Sequence, residues 1–331
     1  MSKGKILVIG EIDQKGKFTS LTGELIGGAR ELAAEVGGSV EVFTVASGID
    51  TVQWESICRG ADRVYVVSNP NVTVFDCETI TAVATEVCRK VDPVLCLIGQ
   101  TDLGRDLAPR LAARLDAGLC MDCTEVAYES AQNVFVQTRP VYGGKAMAVF
   151  SSTSGKLQID TIRPKSMKPL EYGGIAAGEK VVVADDIRIQ DKVRLTKCEK
   201  SQEEGIPLEE AKVIVAGGGG LGGAKGFDIL TELAHVLNAA VGATRVPVDE
   251  KWVPQHMEIG QTGKIVTPAL YIAIGISGAT QHITGILGSG KIVAINKDPD
   301  ANIFRVADFG LVADYKDAVP VLIEKLKGKA A

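Results

Sequence analysis

The 331-residue sequence is poor in aromatic side chains and in histidine, and it has no excess of positive charge. Aromatic residues make up 5% of the chain, there are three histidines, and the formal net charge is −5 at pH 7. Proteins that bind nucleic acid cluster lysine and arginine on one surface, and many stack bases on aromatic rings. We therefore predict that nucleic acid is not a partner of this chain.

Long apolar runs and targeting signals are also missing. No apolar run approaches the ~18 residues that a membrane-spanning helix needs, so we expect no direct membrane insertion. Residues 1–5 lead straight into an apolar strand, without the apolar core, cleavage site or Arg/Ser-rich composition of a targeting segment. These absences predict a cytoplasmic protein.

Motifs for metal binding and hydrolysis are missing as well. The seven cysteines are an odd number, and only Cys120 and Cys123 have a C-x-x-C spacing. That pair has no second pair and no nearby histidine to complete a zinc site. The sequence contains neither G-x-S-x-G nor H-E-x-x-H. We predict buried, reduced thiols, no metal site and no hydrolase activity.

Short β-branched runs alternate with amphipathic stretches in the first part of the chain. This order predicts a parallel sheet with helices on both faces. The predicted strands are Lys5–Ile9, Val40–Val45, Arg63–Val67 and Val94–Ile98. The predicted helices are Thr22–Val36, Val52–Arg59, Glu78–Lys90 and one that begins near Asp106, because Pro109 suits only a first turn.

The pattern changes between Thr124 and Leu195, where short strands predict a mixed or antiparallel extension of the first domain. These strands are Val134–Thr138, Ala146–Phe150 and Val193–Leu195. A polar stretch then indicates a linker. We predict an N-terminal α/β domain at residues 1–197, a linker at 198–207 and a second domain at 208–331.

The second domain is predicted to be a smaller, open α/β sheet. Its predicted strands are Val213–Ala216, Tyr271–Gly275, Lys291–Asn296 and Gly310–Ala313, and its main helices are Phe227–Val241 and Tyr315–Lys327. The predicted fold class is thus α/β, with two open, mostly parallel domains.

Five glycine-rich or polar turns in the second domain each follow a run typical of a buried strand. They are Ala216–Gly223, Gly242–Arg245, Gly260–Lys264, Gly275–His282 and Ala294–Asp298. Glycines let a backbone approach a phosphate, and amides at a strand-to-helix turn can donate to an anion. Several such turns on successive strand ends predict a dinucleotide lying across one edge of the sheet.

The glycine cluster Gly217–Gly223 matches the G-x-G-x-x-G pattern between a strand and a helix. That pattern also requires an acidic residue about 20 residues further on to bind a ribose hydroxyl, but the corresponding region contains Arg245. An arginine suits a 2′-phosphate, so an NAD(P)-dependent dehydrogenase stays an alternative. His282, at a predicted helix start, is interpreted as a ligand contact in preference to a satisfied core histidine.

In their order, these motifs resemble the alpha subunit of electron-transfer flavoproteins along essentially the whole chain. The resemblance is carried by Gly104–Arg110, Gly242–Arg245, Gly260–Ile265, Tyr271–His282 and Val293–Pro299. It implies a Rossmann-like FAD-binding domain at the C-terminus and an N-terminal, nucleotide-hydrolase-like sheet that packs against a partner subunit. It also implies a heterodimer with a beta subunit that holds AMP or a second FAD.

The resemblance further implies which residues contact the flavin. Arg245 would lie beside the isoalloxazine ring, Thr262 near N5 and His282 at the C2 carbonyl. The ribityl, pyrophosphate and adenosine contacts complete the expected cofactor-binding set, which is Thr244, Arg245, Ile259, Gly260, Gln261, Thr262, Gly263, Ser277, Gly278, Ala279, Thr280, Gln281, His282, Asn296 and Asp314. Many members of the family carry an arginine where this chain has Gly219.

The implied activity is that of a redox carrier and not of an enzyme with a substrate of its own. Electrons would pass from flavoprotein dehydrogenases, typically the acyl-CoA dehydrogenases of fatty acid β-oxidation, to an acceptor such as a quinone oxidoreductase. An electron-bifurcating version, which oxidises NADH and reduces ferredoxin and an enoyl-CoA, is the nearest alternative. A nucleotide-binding scaffold without redox activity is another.

Overall fold

The computed structural model describes residues 4–12, 17–45, 60–67, 77–144, 146–152, 157–170, 196 and 206–328, and the backbone of residues 179–182. The chain divides into two compact units. One comprises Met1–Val141 with Lys145–Glu199, and the other comprises Tyr142–Gly144 with Lys200–Ala331. The predicted linker at residues 198–207 lies mostly outside the described residues, so its bounds stay a prediction.

The first unit contains a parallel sheet of seven strands. The strands are β1 (Lys5–Ile9), β2 (Ser39–Val45), β3 (Arg63–Val67), β4 (Leu95–Gly99), β5 (Gly118–Cys123), β9 (Gln158–Ile162) and β10 (Glu179–Val182). They lie in the order β10-β3-β2-β1-β4-β9-β5, and every neighbouring pair is parallel. The helices within the described residues of this unit are α1 (Ser20–Val36), α2 (Cys77–Val91) and α3 (Asp102–Leu115).

Successive residues of each strand face opposite sides of this sheet, which gives the unit two hydrophobic cores. Ile6 and Val8 of β1 pack with residues of α1 on one face. Leu7 and Ile9 pack with residues of α2 and α3 on the other face. A sheet buried on both faces requires near-continuous apolar strands, which is the pattern that the sequence shows. The predicted α/β class is confirmed.

A second sheet of the first unit has three antiparallel strands, β6 (Glu125–Glu129), β7 (Val134–Val141) and β8 (Ala146–Ser151). This sheet agrees with the predicted antiparallel extension. Strands β5 and β9, which the sequence did not predict, belong to the parallel sheet instead. Strand β8 lies at an edge, and its large side chains Met147, Val149 and Phe150 are exposed. The predicted helix Val52–Arg59 and strand Val193–Leu195 lie outside the described residues.

Helix α3 begins earlier than predicted. The expected start near Asp106 is wrong, because the helix begins at Asp102 and contains Pro109 in its interior. The side chain of Thr101 caps the first turn, and two leucines on the inner face are fully buried. Burial of each leucine contributes about 1.5–3 kcal/mol, which offsets the cost of about 3 kcal/mol for an interior proline.

The second unit contains a parallel sheet of five strands. The strands are β11 (Val213–Gly217), β12 (Ala240–Ala243), β13 (Leu270–Ile274), β14 (Lys291–Asn296) and β15 (Phe309–Val312), in the order β12-β11-β13-β14-β15. The helices are α4 (Gly226–Leu237), α5 (Arg245–Asp249), α6 (Thr280–Thr284) and α7 (Tyr315–Lys327), with 3₁₀ turns at Gly219–Leu221, Gln255–Met257 and Asn302–Arg305.

The predicted helix Phe227–Val241 is wrong at its C-terminal end. Helix α4 ends at Leu237, because Asn238 takes a left-handed conformation with φ of 50° and caps it. The following residues then form β12, which pairs with β11. Asparagine tolerates this conformation better than most residues. It therefore allows a short turn from the helix into the edge strand.

The two faces of the second sheet are covered differently. Side chains of α4 and α7 pack on one face. Residues from connecting segments, among them Ile259, Ile276 and Ile303, cover the other face. The loops at the strand ends are thus part of the hydrophobic core. None of the helices within the described residues is long and apolar enough to cross a bilayer.

Candidate functional site

The carboxyl ends of the five parallel strands lie at one edge of the second sheet, where ligands bind in open α/β folds. Backbone hydrogen bonds of 2.9–3.1 Å join the loops at this edge: the N–H groups of Thr244, Gly218, Gly275 and Ala313 donate to the carbonyls of Gly217, Ile274, Ile295 and Asn296, respectively. All the predicted cofactor contacts lie in these loops or in segments bonded to them. The structure therefore brings the predicted residues to one edge.

The glycine-rich loop after β11 makes a close approach to the loop after β13. A Cβ added at Gly218 would lie 2.3 Å from the carbonyl oxygen of Gly275, and one at Gly220 would lie 2.7 Å from the same atom. The N–H of Gly220 donates to that oxygen at 2.9 Å. In contrast, a Cβ at Gly219 would make an ordinary contact of 3.4 Å with Val246. Gly218 and Gly220 thus allow two backbones to touch.

The segment Gly260–Lys264 does not follow a buried strand, so that expectation is wrong. It follows the 3₁₀ turn at Gln255–Met257. Backbone bonds hold it at the sheet edge, from Ile259 N to the carbonyl of Ala243 at 2.9 Å and from Gln261 N to the carbonyl of Gln281 at 2.8 Å. The side chain of Ile259 is buried in the core, whereas Gln261 and Thr262 are exposed.

Two glycines of this segment are required by its geometry. Gly260 has φ of 149°, in the region that favours glycine. A Cβ at Gly263 would lie 2.4 Å from the carbonyl oxygen of Glu258. The glycines therefore allow the tight path that turns Thr262 outward from the core.

Glu258 is a residue of this site that the sequence analysis missed. Its side chain is 4% exposed. One carboxylate oxygen accepts a hydrogen bond from Thr262 Oγ1 at 2.5 Å, and the other accepts one from Gln255 Nε2 at 2.6 Å. The four-residue spacing between Glu258 and Thr262 is the one sequence feature that could have indicated this contact. Nothing in the local pattern indicated that a glutamate here is buried.

Arg245 and Thr244 lie at the carboxyl end of β12. Arg245 is the first residue of α5, and its side chain is 67% exposed and pairs with Asp249 at 3.1 Å. An exposed pair of this kind contributes at most about 1 kcal/mol, so the guanidinium can exchange Asp249 for a ligand at small cost. Thr244 occupies the N-cap position, but its hydroxyl does not cap the helix.

His282 has internal partners for both ring nitrogens. Nδ1 donates to the carbonyl of Ile259 at 2.8 Å, which leaves Nε2 to accept from the hydroxyl of Tyr271 at 3.0 Å. The side chain is 5% exposed, and burial lowers the pKa of His282 to about 4. The sequence favoured a ligand contact over a satisfied core histidine, whereas the hydrogen bonds of both ring nitrogens are those of a core histidine. Its contact with a cofactor stays a prediction.

The loop between β13 and α6 presents a row of exposed residues: Ser277, Ala279, Thr280 and Gln281. Between them, Gly278 is buried with φ of 82°, and a Cβ there would lie 2.2 Å from Ile303 N. Gly278 therefore fixes the path of this loop against the 3₁₀ turn. Ser277, Thr280 and Gln281 thus present exposed polar groups at this edge of the sheet.

Asn296 and Asp314, the predicted adenosine contacts, both have structural roles at the strand ends. Asn296 Nδ2 donates to the carbonyl of Ile276 at 2.9 Å, and its Oδ1 accepts from Asp298 N at 3.0 Å. Asp314 caps α7 by accepting from Lys316 N at 2.9 Å. Asp314 is exposed and Asn296 is half-buried, so both lie at the surface of the edge.

An open cavity of about 460 Å³ lies beside the glycine-rich loop. Its lining residues are Leu221, Gly222, Gly223, Lys225, Gly226, Ile229, Tyr315 and Lys316. No atom lies within 4 Å of a Cβ added at Gly222 or Gly223. Two lysines, the start of α4 and unobstructed glycines fit an anionic ligand such as a pyrophosphate. Among the described residues, no group of His, Cys, Asp and Glu is arranged to hold a metal ion.

Comparison with known families gives matches in both units. The family model described as "Electron transfer flavoprotein domain" matches residues 6–187. The model described as "Electron transfer flavoprotein FAD-binding domain" matches residues 207–287. The second match contains every predicted cofactor contact except Asn296 and Asp314, which lie beyond it.

Curated relatives match nearly the full chain. "Electron transfer flavoprotein subunit alpha" of Thermoanaerobacterium thermosaccharolyticum is 41% identical over 315 residues, which cover 95% of each chain. The protein of the same name from Bacillus subtilis is 39% identical over 98% of this chain and 97% of its own. "Lactate dehydrogenase (NAD(+),ferredoxin) subunit LctC" of Acetobacterium woodii is 35% identical over 95% of this chain and 75% of its own.

Proposed function

The chain belongs to the electron transfer flavoprotein alpha-subunit family, and on this basis we propose that it binds FAD and carries electrons within a heterodimer in the cytoplasm. Its electron donors are flavoprotein dehydrogenases such as acyl-CoA dehydrogenases, and its acceptor is a protein such as a quinone oxidoreductase. The observation that carries the proposal is the edge of the second sheet. There, joined loops expose Arg245, Thr262 and the row from Ser277 to Gln281.

The cofactor supplies the electron chemistry, and the residues of this chain bind and orient it. The row from Ser277 to Gln281 offers exposed hydroxyl and amide groups to the pyrophosphate. Asn296 and Asp314, at the ends of β14 and β15, take the adenosine end. Thr262 and Arg245 take the ring. Both lie on segments bonded to the end of β12, which supports placing them on one ligand.

Arg245 is the group that we assign to charge stabilisation. A fixed cation beside the ring favours the added electron density of the reduced flavin. His282 cannot supply that charge at neutral pH, because burial lowers its pKa to about 4. Arg245 has an exposed guanidinium and only a surface ion pair to give up.

The partner in this proposal is a beta subunit that carries AMP or a second FAD. Support comes from the edge strand β8 of the first unit, where Met147 and Val149 are exposed on one face and Phe150 is exposed on the other. Exposed apolar edges of this kind commonly lie in protein interfaces.

Co-expression of the full chain with its beta subunit, followed by a visible spectrum and a count of bound nucleotides, tests the function. One FAD and one AMP per heterodimer support the simple carrier, whereas two FAD indicate the bifurcating form. A colourless complex that binds NAD(P)H refutes the proposal in favour of a dehydrogenase. A colourless complex that binds no redox cofactor indicates a scaffold.

Replacement of Arg245 tests the site. We expect Arg245→Ala to lower the one-electron reduction potential by about 40 mV, which corresponds to about 1 kcal/mol for a unit charge at contact distance in a solvated site. The fold should persist, because the side chain is mostly exposed. Asp249→Ala is the matched control, since it removes the same ion pair and keeps the cation. Equal potentials in the two variants contradict the assignment.

A further inference from the structure

The two cysteines of the C-x-x-C sequence lie in strand β5, at the edge of the seven-stranded sheet. In a regular strand, residues three apart face opposite sides of the sheet. Strand β5 instead has a bulge, which inserts one extra residue. Cys120 pairs with Asp160 of β9, and Cys123 pairs with Ile162, two residues further along β9. Both thiols therefore lie in one hydrophobic core, on the same face of the sheet.

Specific hydrogen bonds hold the bulge at Asp122. This residue has φ of 63°, in the left-handed region. Its carboxylate accepts from Arg163 Nε at 2.9 Å and Nη2 at 2.7 Å, and its N–H donates to Thr161 Oγ1 at 2.8 Å. Two residues of parallel strand rise about 6.6 Å, which lies within the Cα to Cα range of about 4.4–6.8 Å for disulfides. A disulfide between the two cysteines therefore requires no large backbone movement.

The two thiols differ in acidity and in exposure. Cys123 Sγ lies 3.6 Å from the carbonyl oxygen of Cys120. The Cys123 thiol also hydrogen-bonds the Cys120 sulfur, which lowers the pKa of Cys120 and raises the pKa of Cys123. Cys120 is 6% exposed, whereas Cys123 is fully buried. Cys120 is thus the thiol that ionises more readily and that a small reagent can reach, as an attacking thiol must be.

Asp160 is a proton acceptor beside the pair. Its carboxyl group is fully buried, and it accepts from Gln158 Nε2 at 2.7 Å and from Gln137 Nε2 at 3.1 Å. Burial raises the pKa of Asp160 to about 7, so the group can take up and release a proton near neutral pH. The other charged or titratable groups around Asp160 and the pair, within the described residues, are Arg139 of β7, Asp122 of β5 and Cys96 of β4.

We propose that Cys120 and Cys123 form a reversible disulfide on reaction with hydrogen peroxide, and that Asp160 accepts the proton of Cys123. The inference concerns the first unit and does not depend on the proposed function. Peroxide is small enough for a thiol with little exposed surface, and thiolates react with it to give a sulfenic acid that condenses with a second thiol.

The reaction has two steps. The Cys120 thiolate, whose proton has gone to solvent, attacks one peroxide oxygen; the O–O bond breaks, Cys120 becomes a sulfenic acid, and the leaving hydroxide takes a proton from solvent. Cys123 then gives its proton to Asp160, and its sulfur displaces hydroxide from Cys120 to form the S–S bond. Asp160 returns the proton to that hydroxide. The two sulfurs lose two electrons, the peroxide gains them, and two waters form.

Peptide mass spectrometry tests the disulfide. The full chain is reduced with a dithiol and exposed to peroxide, and its remaining thiols are alkylated under denaturing conditions. The tryptic peptide that begins at Leu115 contains Cys120, Cys123 and no other cysteine. We expect this peptide to lose both alkylation sites after peroxide and to regain them after a second treatment with dithiol. A peptide that stays alkylated at both cysteines overturns the inference.

A second pair of buried thiols and one substitution serve as controls. Cys88 of α2 and Cys96 of β4 are also neighbours, and they should stay alkylated. Equal oxidation of the two pairs contradicts a specific site. Cys123→Ser should stop at the sulfenic acid of Cys120, which dimedone labels. Absence of that label in the variant contradicts the assignment of Cys120 as the attacking thiol.

Asp160→Asn tests the proton acceptor through the rate of disulfide closure, measured at peroxide concentrations that no longer change the rate. Loss of a negative charge would by itself favour the Cys123 thiolate and speed closure. Loss of the proton acceptor should instead slow closure about a hundredfold. Closure that is unchanged or faster overturns the role of Asp160. In the native chain the rate should rise with pH through about 7; absence of this rise also counts against Asp160, whether or not the variant folds.

Discussion

Replacing Gly218 with alanine should destabilise the second unit, and the same change at Gly219 should not. The two glycines are neighbours in one loop, and Gly218 has φ of −111°, which alanine adopts without strain. The difference is steric. A Cβ at Gly218 would lie 2.3 Å from the carbonyl oxygen of Gly275 and 2.7 Å from Ile276 Cα, both backbone atoms that cannot rotate away.

The size of the destabilisation by Gly218→Ala follows from the two loops that must separate. Relief of the overlap requires the loop after β11 to separate from the loop after β13, which costs about 1–3 kcal/mol as overpacking. The hydrogen bonds from Gly218 N to Ile274 O and from Gly220 N to Gly275 O lie at the same contact, and each contributes about 1 kcal/mol. We therefore expect Gly218→Ala to lower the free energy of unfolding by about 3–5 kcal/mol. Gly219→Ala should change it by less than about 1 kcal/mol, with a stabilising contribution from the stiffer unfolded chain.

Urea unfolding followed by the fluorescence of Trp252 measures this difference within the second unit. The chain has two tryptophans, so a Trp54→Phe background makes Trp252 the only reporter. Equal urea midpoints for the two alanine variants would refute the reasoning from close approach. If both variants keep native stability and lose FAD, the glycines serve the cofactor and not the packing of the loops.

Three further substitutions have outcomes that can be measured. His282 has a pKa of about 4 in the folded protein against the ordinary 6.5. Its contribution to stability is complete above pH 6.5 and falls by up to about 1.4 kcal/mol per pH unit toward pH 4. Urea unfolding at a series of pH values should show that the free energy of unfolding depends less on pH in His282→Gln than in the native protein. An identical pH dependence would contradict the buried, neutral ring. Gly219→Arg should fold, because a Cβ there makes only an ordinary contact, and in redox titration the added cation should raise the flavin potential; a lower potential would count against the electrostatic argument. Phe150→Asp, on the exposed strand β8, should weaken the heterodimer in analytical ultracentrifugation without changing the far-UV circular dichroism, whereas undiminished assembly would place the interface elsewhere.

Buried parallel strands were the part of the fold that the sequence predicted best. Segments such as Lys5–Ile9 and Lys291–Asn296 are rich in branched apolar residues, and their bounds agree with the structure. Strand β12 was missed because Ala240–Ala243 has little β-propensity and continues the apolar spacing of the preceding helix. The start of helix α3 was predicted too late, because the cost of Pro109 in a helix interior was considered without the burial of leucines that offsets it.

The candidate site was predictable in its location and less so in its internal bonding. Glycine-rich turns after buried strands predicted a ligand site at this edge of the sheet. The partners of His282 and Glu258 depend on contacts across the fold, from Tyr271 in a strand and Gln255 in a 3₁₀ turn. Periodicity along the chain carries no information about such pairs. Sequence patterns therefore do not predict which polar side chains are buried with one specific partner.

The backbone bonds between the loops at the sheet edge have a kinetic consequence. When loops become ordered only on ligand binding, the entropy that they lose lowers the affinity, and slow closure of the loops limits the rate of ligand uptake. Here the loops are bonded to one another and to the strand ends by the folded chain itself. The part of the proposed flavin site that these loops form is therefore complete on folding. Flavin uptake at this surface should be a single bimolecular phase, with a rate that rises linearly with flavin concentration.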